Sequence, residues 1–149
     1  MQRNCALALG IIFLLLGIAG FIPGFMSLPP EGLNAGGVSL DADSLYAKGY
    51  GYLFAAFPTN LMHNIVHLLV GILGIAAATT GNAKLYNRGF AISYILIAVM
   101  GLVPFARTTF GIMPVFGNNI WLNALSGTIA GYYGFFGDKT AASTDQVNA

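Results

Sequence analysis

Apolar and polar positions fall in blocks along this chain. Four apolar runs are separated by stretches rich in glycine, proline and polar residues. The first, Cys5–Met26 ("CALALGIIFLLLGIAGFIPGFM"), would reach about 33 Å as a helix, enough for the hydrocarbon core of a bilayer. The second, Leu61–Ala78, follows Pro58 and Thr59, which suit a helix start. The third, Gly89–Val103, extends back to Leu85 and stops at Pro104. The fourth, Ile120–Phe136, is introduced by Asn118 and Asn119. The pattern predicts helical spans over about 5–26, 59–79, 85–104 and 119–136. The last three are near the lower length limit. Their ends are expected to draw on Tyr86, Arg88, Trp121, Tyr132 and Tyr133 as interfacial anchors.

The connections differ in kind. Ser27–Ser44 reads as a loop and holds Glu31, Asp41 and Asp43. In "SLYAKGYGYLFAAF", Tyr46, Tyr50, Leu53 and Phe57 share one face at helical spacing. That predicts a short interfacial helix, weakened by Gly49 and Gly51. Residues 138–149 read as a polar, disordered tail. The first run is read as a retained span and not a cleaved leader, because it continues past the small pair Gly17 and Ala19 to Met26.

Composition sharpens the class. Only 7% of the 149 residues are charged and 56% are hydrophobic, whereas about a quarter of a soluble domain is charged. The predicted fold is an all-α integral membrane four-helix bundle with a short interfacial helix before the second span. A net charge of +1 gives no electrostatic footprint for nucleic acid. Cys5 is the single cysteine, an apolar filler and not a nucleophile. With the N-terminus inside, Arg3, Lys84, Arg88 and Lys139 lie inside, and Lys48 and Arg107 outside, which favours both termini inside.

Candidate chemistry is confined to "LMHNIVHLLVGILG" (Leu61–Gly74), which contains both histidines. On a helical wheel His63, His67, Gly71, Gly74 and Ala78 share one narrow face, with Asn64 at its border. That face is expected to meet other helices, and the Ile65, Leu68, Leu69 and Ile72 face to meet lipid. Other small-residue seams are predicted at Gly17, Gly20 and Gly24, at Gly89 and Ser93, and at Gly127, Gly131 and Gly134 beside Asn123 and Ser126. No metal site is expected. A zinc peptidase would place an acid between the two histidines and add a third ligand, but Asn64 follows His63 and the apolar runs contain no acid. His63 and His67 stand about 6 Å apart along one helix, so they cannot sandwich one haem.

The segments "GIAGFIPG", "LMHNIVHLLVGILG" and "NNIWLNALSG" together resemble a family of small bacterial four-span membrane proteins catalogued as domain of unknown function 4383. The resemblance covers about Arg3 to Phe136 and implies architecture without an activity. It also implies a histidine after Trp-Leu in the last helix of many members. Here Asn123 stands in that place, so a scheme needing three histidines does not fit.

Two functional readings follow. In the first, the protein is a non-enzymatic structural or accessory subunit that packs against itself or other membrane subunits, and His63, Asn64, His67 and Asn123 form an interhelical polar cluster. In the second, His63 or His67 is the axial ligand of a haem or chlorophyll in a photosynthetic or electron-transfer complex. Either places the chain in a bacterial cytoplasmic membrane, or in a thylakoid where the source has one.

Overall fold

The computed structural model describes residues 1–28, 36–38, 40–41 and 43–137. Glu31 and the 138–149 tail lie outside the described residues. Among the described residues, the architecture is four α-helices capped at one end by a small sheet and a long connection. Helix α1 covers Gln2–Ala19, α2 Leu61–Thr80, α3 Ala83–Leu102 and α4 Asn118–Gly131, and α4 runs on as a π-helical turn over Tyr132–Phe136. Helices α1, α2 and α3 are long and apolar enough to cross a membrane.

The helix ends have local causes. Helix α1 stops at Ala19, short of the predicted Met26. Pro23 holds Ile22 in an extended conformation (φ −96°, ψ 112°), and a 3-10 turn over Pro23–Phe25 follows. Helix α2 begins after Asn60, not at Pro58, which lies in a strand. Gly81, at φ +83°, closes α2 in the left-handed conformation. Pro104 leaves Val103 extended and ends α3. In the π turn, Arg88 Nε donates to the Gly134 carbonyl (2.8 Å), and the guanidinium lies 5.1 Å from the Phe135 ring centre.

The interfacial helix expected over Tyr46–Phe57 does not form. A run of turns reaches Gly49, and two strands follow. Strand β1 (Met26–Ser27), β2 (Gly51–Leu53) and β3 (Phe57–Thr59) make an antiparallel sheet in that order, with Met26 opposite Leu53 and Tyr52 opposite Pro58. Gly49 (φ +64°) breaks the helical path. A Cβ on Gly51 would stand 2.9 Å from the Ser27 carbonyl oxygen, so glycine is what lets β1 pair there. The four-residue spacing of the tyrosines produces stacking instead of a helix face: Tyr46 and Tyr50 rings lie 5.4 Å apart at 28°. The hairpin turn places Phe54 and Ala55 at positive φ.

The helices form two tight pairs, α1 with α2 and α3 with α4. In the first pair, Gly10 and Gly74 put their backbones in direct contact: a Cβ on Gly74 would lie 2.8 Å from Gly10 Cα, and one on Gly71 2.5 Å from Leu14 N. Gly17 similarly admits Leu68, which is half-buried and does not belong to an outward-facing stripe. In the second pair, Gly127 meets Ile95, while Gly131 is in ordinary contact with Ala91. Three small residues expected in seams are elsewhere. Gly24 lies outside α1 and is exposed, and Gly89 and Ser93 lie on the exposed face of α3. The small residues that α3 buries are Ala83, Ala91, Ala98 and Gly101.

The core runs between the pairs through Cys5, Leu9, Phe13, Phe90, Tyr94 and Ala130. Phe90 and Tyr94 stack at 3.8 Å, and Phe13 meets both edge-on. Tyr86, expected as an interfacial anchor, turns inward and donates to the Val70 carbonyl (3.1 Å). The helices alternate in direction. Asn87 donates to the Gln2 carbonyl, and a Cβ on Gly137 would stand 3.4 Å from the Gln2 side chain, so both ends of the described chain lie together, opposite the cap. The outward faces, including Leu69, Ile72, Leu73, Ile92, Leu96 and Leu125, are apolar and exposed.

Candidate functional site

The polar residues gather where the cap meets the helix ends. Asn60 has no exposed surface and is the N-cap of α2. Its Oδ1 accepts from the His63 backbone N–H (2.9 Å), one of the donors a helix start leaves unpaired. Its Nδ2 donates to the Tyr46 carbonyl (3.1 Å) and the Ile112 carbonyl (2.8 Å). One carboxamide therefore joins α2 to the 43–50 turns and to the α3–α4 connection (103–117). Asn119 does the same for α4: its Nδ2 donates to the carbonyls of Pro58 (2.7 Å) and Pro114 (3.2 Å). Asn118 adds a bond to the Ala56 carbonyl (3.1 Å).

The four polar residues singled out from the sequence divide into two groups. Asn64 turns towards α1. It accepts from Thr59 Oγ1 (2.6 Å) and donates to the Gly20 carbonyl (2.8 Å). A Cβ on Gly20 would overlap the Asn64 carboxamide, so Gly20 is the counterpart of this contact. His63, His67 and Asn123 face the other way, onto a cavity of about 10 Å³ that Tyr94 and Met113 also line. That volume holds about one water molecule. All three side chains are more than nine-tenths buried.

Within the cavity wall, His63 Nε2 and His67 Nε2 stand 3.0 Å apart, with ring planes at 77°. One nitrogen must carry the proton and the other a lone pair. His63 Nδ1 is buried on the opposite edge of its ring and closes no hydrogen bond of good geometry, and the Pro114 backbone lies beside the same side chain. A proton on that Nδ1 makes His63 Nε2 the acceptor and His67 Nε2 the donor. Phe13 packs edge-on against His67 at 5.0 Å and fixes that ring from the α1 side. Among the described residues, no group of three histidine, cysteine or acidic side chains converges.

Sequence reading found the histidine face and Asn123 but not the roles of Asn60, Asn119 and Thr59. The signal for Asn60 was an asparagine directly before an apolar, helix-periodic run. Its Nδ2 partners are backbone carbonyls of remote segments, which leave no trace in residue type.

The profile of a family described as domain of unknown function (DUF4383) matches residues 3–136. The chain belongs to this family. Comparison with curated proteins and with solved structures gives no match. Every residue of the asparagine framework and of the histidine cavity lies inside the matched region, so the site is part of the DUF4383 domain itself.

Proposed function

We propose that this DUF4383 protein spans a bacterial cytoplasmic membrane four times and acts as a non-enzymatic structural or accessory subunit, with both termini inside and the cap outside. The observation that carries this reading is how its buried polar groups are used. The buried Asn60 and Asn119 direct their donors at backbone carbonyls of the cap and the connections beside it, and the buried Asn64 directs its donor at the Gly20 carbonyl where α1 ends. A lipid surround supports the same arrangement: the outward faces are apolar, and buried backbone groups at membrane depth need internal partners. Helix α4 with its π turn extends roughly 27 Å, close to the hydrocarbon thickness. Arg3, Lys84 and Arg88 lie at the end away from the cap, and Lys48 and Arg107 at the cap end, which favours the cap outside.

The alternative, a haem or chlorophyll on His63 or His67, is less well supported. The two Nε2 atoms are in direct hydrogen-bond contact with each other beside a space for one water, and a macrocycle would have to open α2 from α3 and α4. The chain purified in mild detergent or nanodiscs from its source decides between them. The accessory-subunit reading expects a colourless chain that migrates on native gels with defined membrane subunits or with itself. A stoichiometric Soret or Qy band that disappears in His63→Ala or His67→Ala would overturn it.

A further inference from the structure

We infer that the His63–His67 pair is a binding site for a soft monovalent metal ion, copper(I), with Met113 as the third ligand. Two imidazole nitrogens on successive turns of α2 stand 3.0 Å apart at the wall of a cavity the size of a single water. Two nitrogens bound about 2.0 Å from one ion at trigonal or tetrahedral angles stand about 3.3–3.5 Å apart. The rings need open by a few tenths of an ångström, and His67 must carry its proton on Nδ1 instead of Nε2, a change of tautomer that leaves the imidazole neutral and turns its Nε2 lone pair to the ion. Their supports suit ligation as well. The Pro114 backbone lies beside the buried His63 side chain, the kind of outer neighbour that fixes a ligating ring, and a proton on the buried Nδ1 leaves the Nε2 lone pair inward. Phe13 holds the His67 ring from behind.

Charge selects the ion. The cavity lining contains no carboxylate and no thiolate. A buried ion's self-energy grows with the square of its charge, so neutral ligands in a dry bundle discriminate strongly against a dication. A monovalent d10 ion avoids most of that penalty. Imidazole nitrogen and thioether sulfur are ligands that copper(I) accepts, and Met113 lines the same cavity as both rings. The expectation of no metal rested on the missing acid between the histidines. That absence excludes a zinc hydrolase arrangement but not a low-charge site. The site stands independently of the accessory-subunit reading, and a negative result below leaves that reading untouched.

The test is anaerobic titration of the full chain in lipid nanodiscs with copper(I), against a chromophoric copper(I) chelator, and separately with zinc(II). One copper(I) per chain is expected. His63→Gln and His67→Gln should each weaken it by more than about a hundredfold, beyond what loss of an outer-shell partner costs. X-ray absorption should show two nitrogen neighbours and one sulfur. Met113→Leu keeps both rings and the local volume, and should weaken binding by about tenfold. If the glutamine variants fail to fold, this variant decides the matter, and unchanged affinity overturns the proposal. Failure of the unaltered chain to hold copper(I), uptake that persists in the His63→Gln/His67→Gln double variant, or tighter zinc(II) than copper(I) also overturns it.

Discussion

A methyl group added at three glycines should move stability in three different ways. At Gly71, a Cβ would stand 2.5 Å from Leu14 N and 2.7 Å from Leu14 Cα, and ordinary contact begins near 3.4 Å. The obstacle is backbone, which cannot rotate aside, so α1 and α2 must part by about 1 Å. A gap of that size removes a quarter to a half of the dispersion energy of each facing contact. The pair also meets through Gly10 and Gly74, so the loss spreads along the seam. Gly71→Ala should therefore cost about 2–3 kcal/mol, the upper range for overpacking. At Gly131 the new Cβ would be 3.5 Å from Ala91 Cβ, ordinary contact, and because Gly131 is the last residue of α4 the interior propensity gain is largely lost, so the change should be near neutral. At Gly89 nothing lies within 4 Å of the added carbon. There the gain in helix propensity should stabilise by about 0.5–1 kcal/mol. Unfolding of the three variants in mixed micelles, followed by loss of helical circular dichroism as SDS is added, ranks them. Gly71→Ala as stable as the parent, or Gly89→Ala destabilised as much as Gly71→Ala, would refute the assignment of packed and open seams.

The asparagine framework makes further predictions. Asn60→Ala removes an N-cap and two hydrogen bonds, and should cost about 2–3 kcal/mol and speed tryptic cleavage at the exposed Lys48. Asn60→Ser restores only the cap and should recover about 1 kcal/mol; full recovery would mean that the bonds to Tyr46 and Ile112 contribute nothing. Gly20→Ala should destabilise the chain by forcing the Asn64 carboxamide aside, and should cost at least about 1 kcal/mol less in an Asn64→Ala background; additive costs would refute the contact. In the cap, burial, with the neighbouring tyrosines, holds the Tyr46 and Tyr50 phenols well above their ordinary value. The unfolded chain then releases those protons first, so cap stability is full below about pH 10 and falls above it. Tyrosinate absorbance and tryptic cleavage at Lys48 should rise together with pH, and tyrosinate from these two residues in an uncleavable cap would contradict their burial.

How much of this was legible in the sequence depends on which atoms do the work. The helices were visible because hydropathy marks them, and Pro104 marked the end of α3, whereas the stop of α1 before Pro23 was hidden because the apolar run continues to Met26. The inward face of α2 was visible because His63, His67, Gly71 and Gly74 share one direction on the wheel, and these are residues that α2 buries. The cap was not visible. Tyr46 and Tyr50 are four apart both in a helix and in a turn that stacks their rings, and periodicity alone cannot separate the two. Met26 and Ser27 pair with Leu53 and Tyr52 through backbone groups across a loop, without a side-chain signature. Gly89 and Ser93 misled for a related reason. Small size permits close approach but does not require it, and α3 packs with Ala91 and Ala98 instead.

The recurrence of asparagine at the cap follows from what a helix start needs when bulk water is scarce. The first N–H groups of α2 lack partners, and the nearby turns carry carbonyls that lack them too. A serine or threonine cap would accept from the helix but offer only one hydroxyl proton. An aspartate would accept but bring a charge towards carbonyl oxygens and offer no donor. Asparagine has an acceptor for the helix and two amide protons for the turns, and Asn60 uses all of these at once. Asn119 applies its amide group to the Pro58 and Pro114 carbonyls at the start of α4. Pro114 borders His63 as well, so the residue that fixes α4 to the cap also fixes the wall of the histidine cavity.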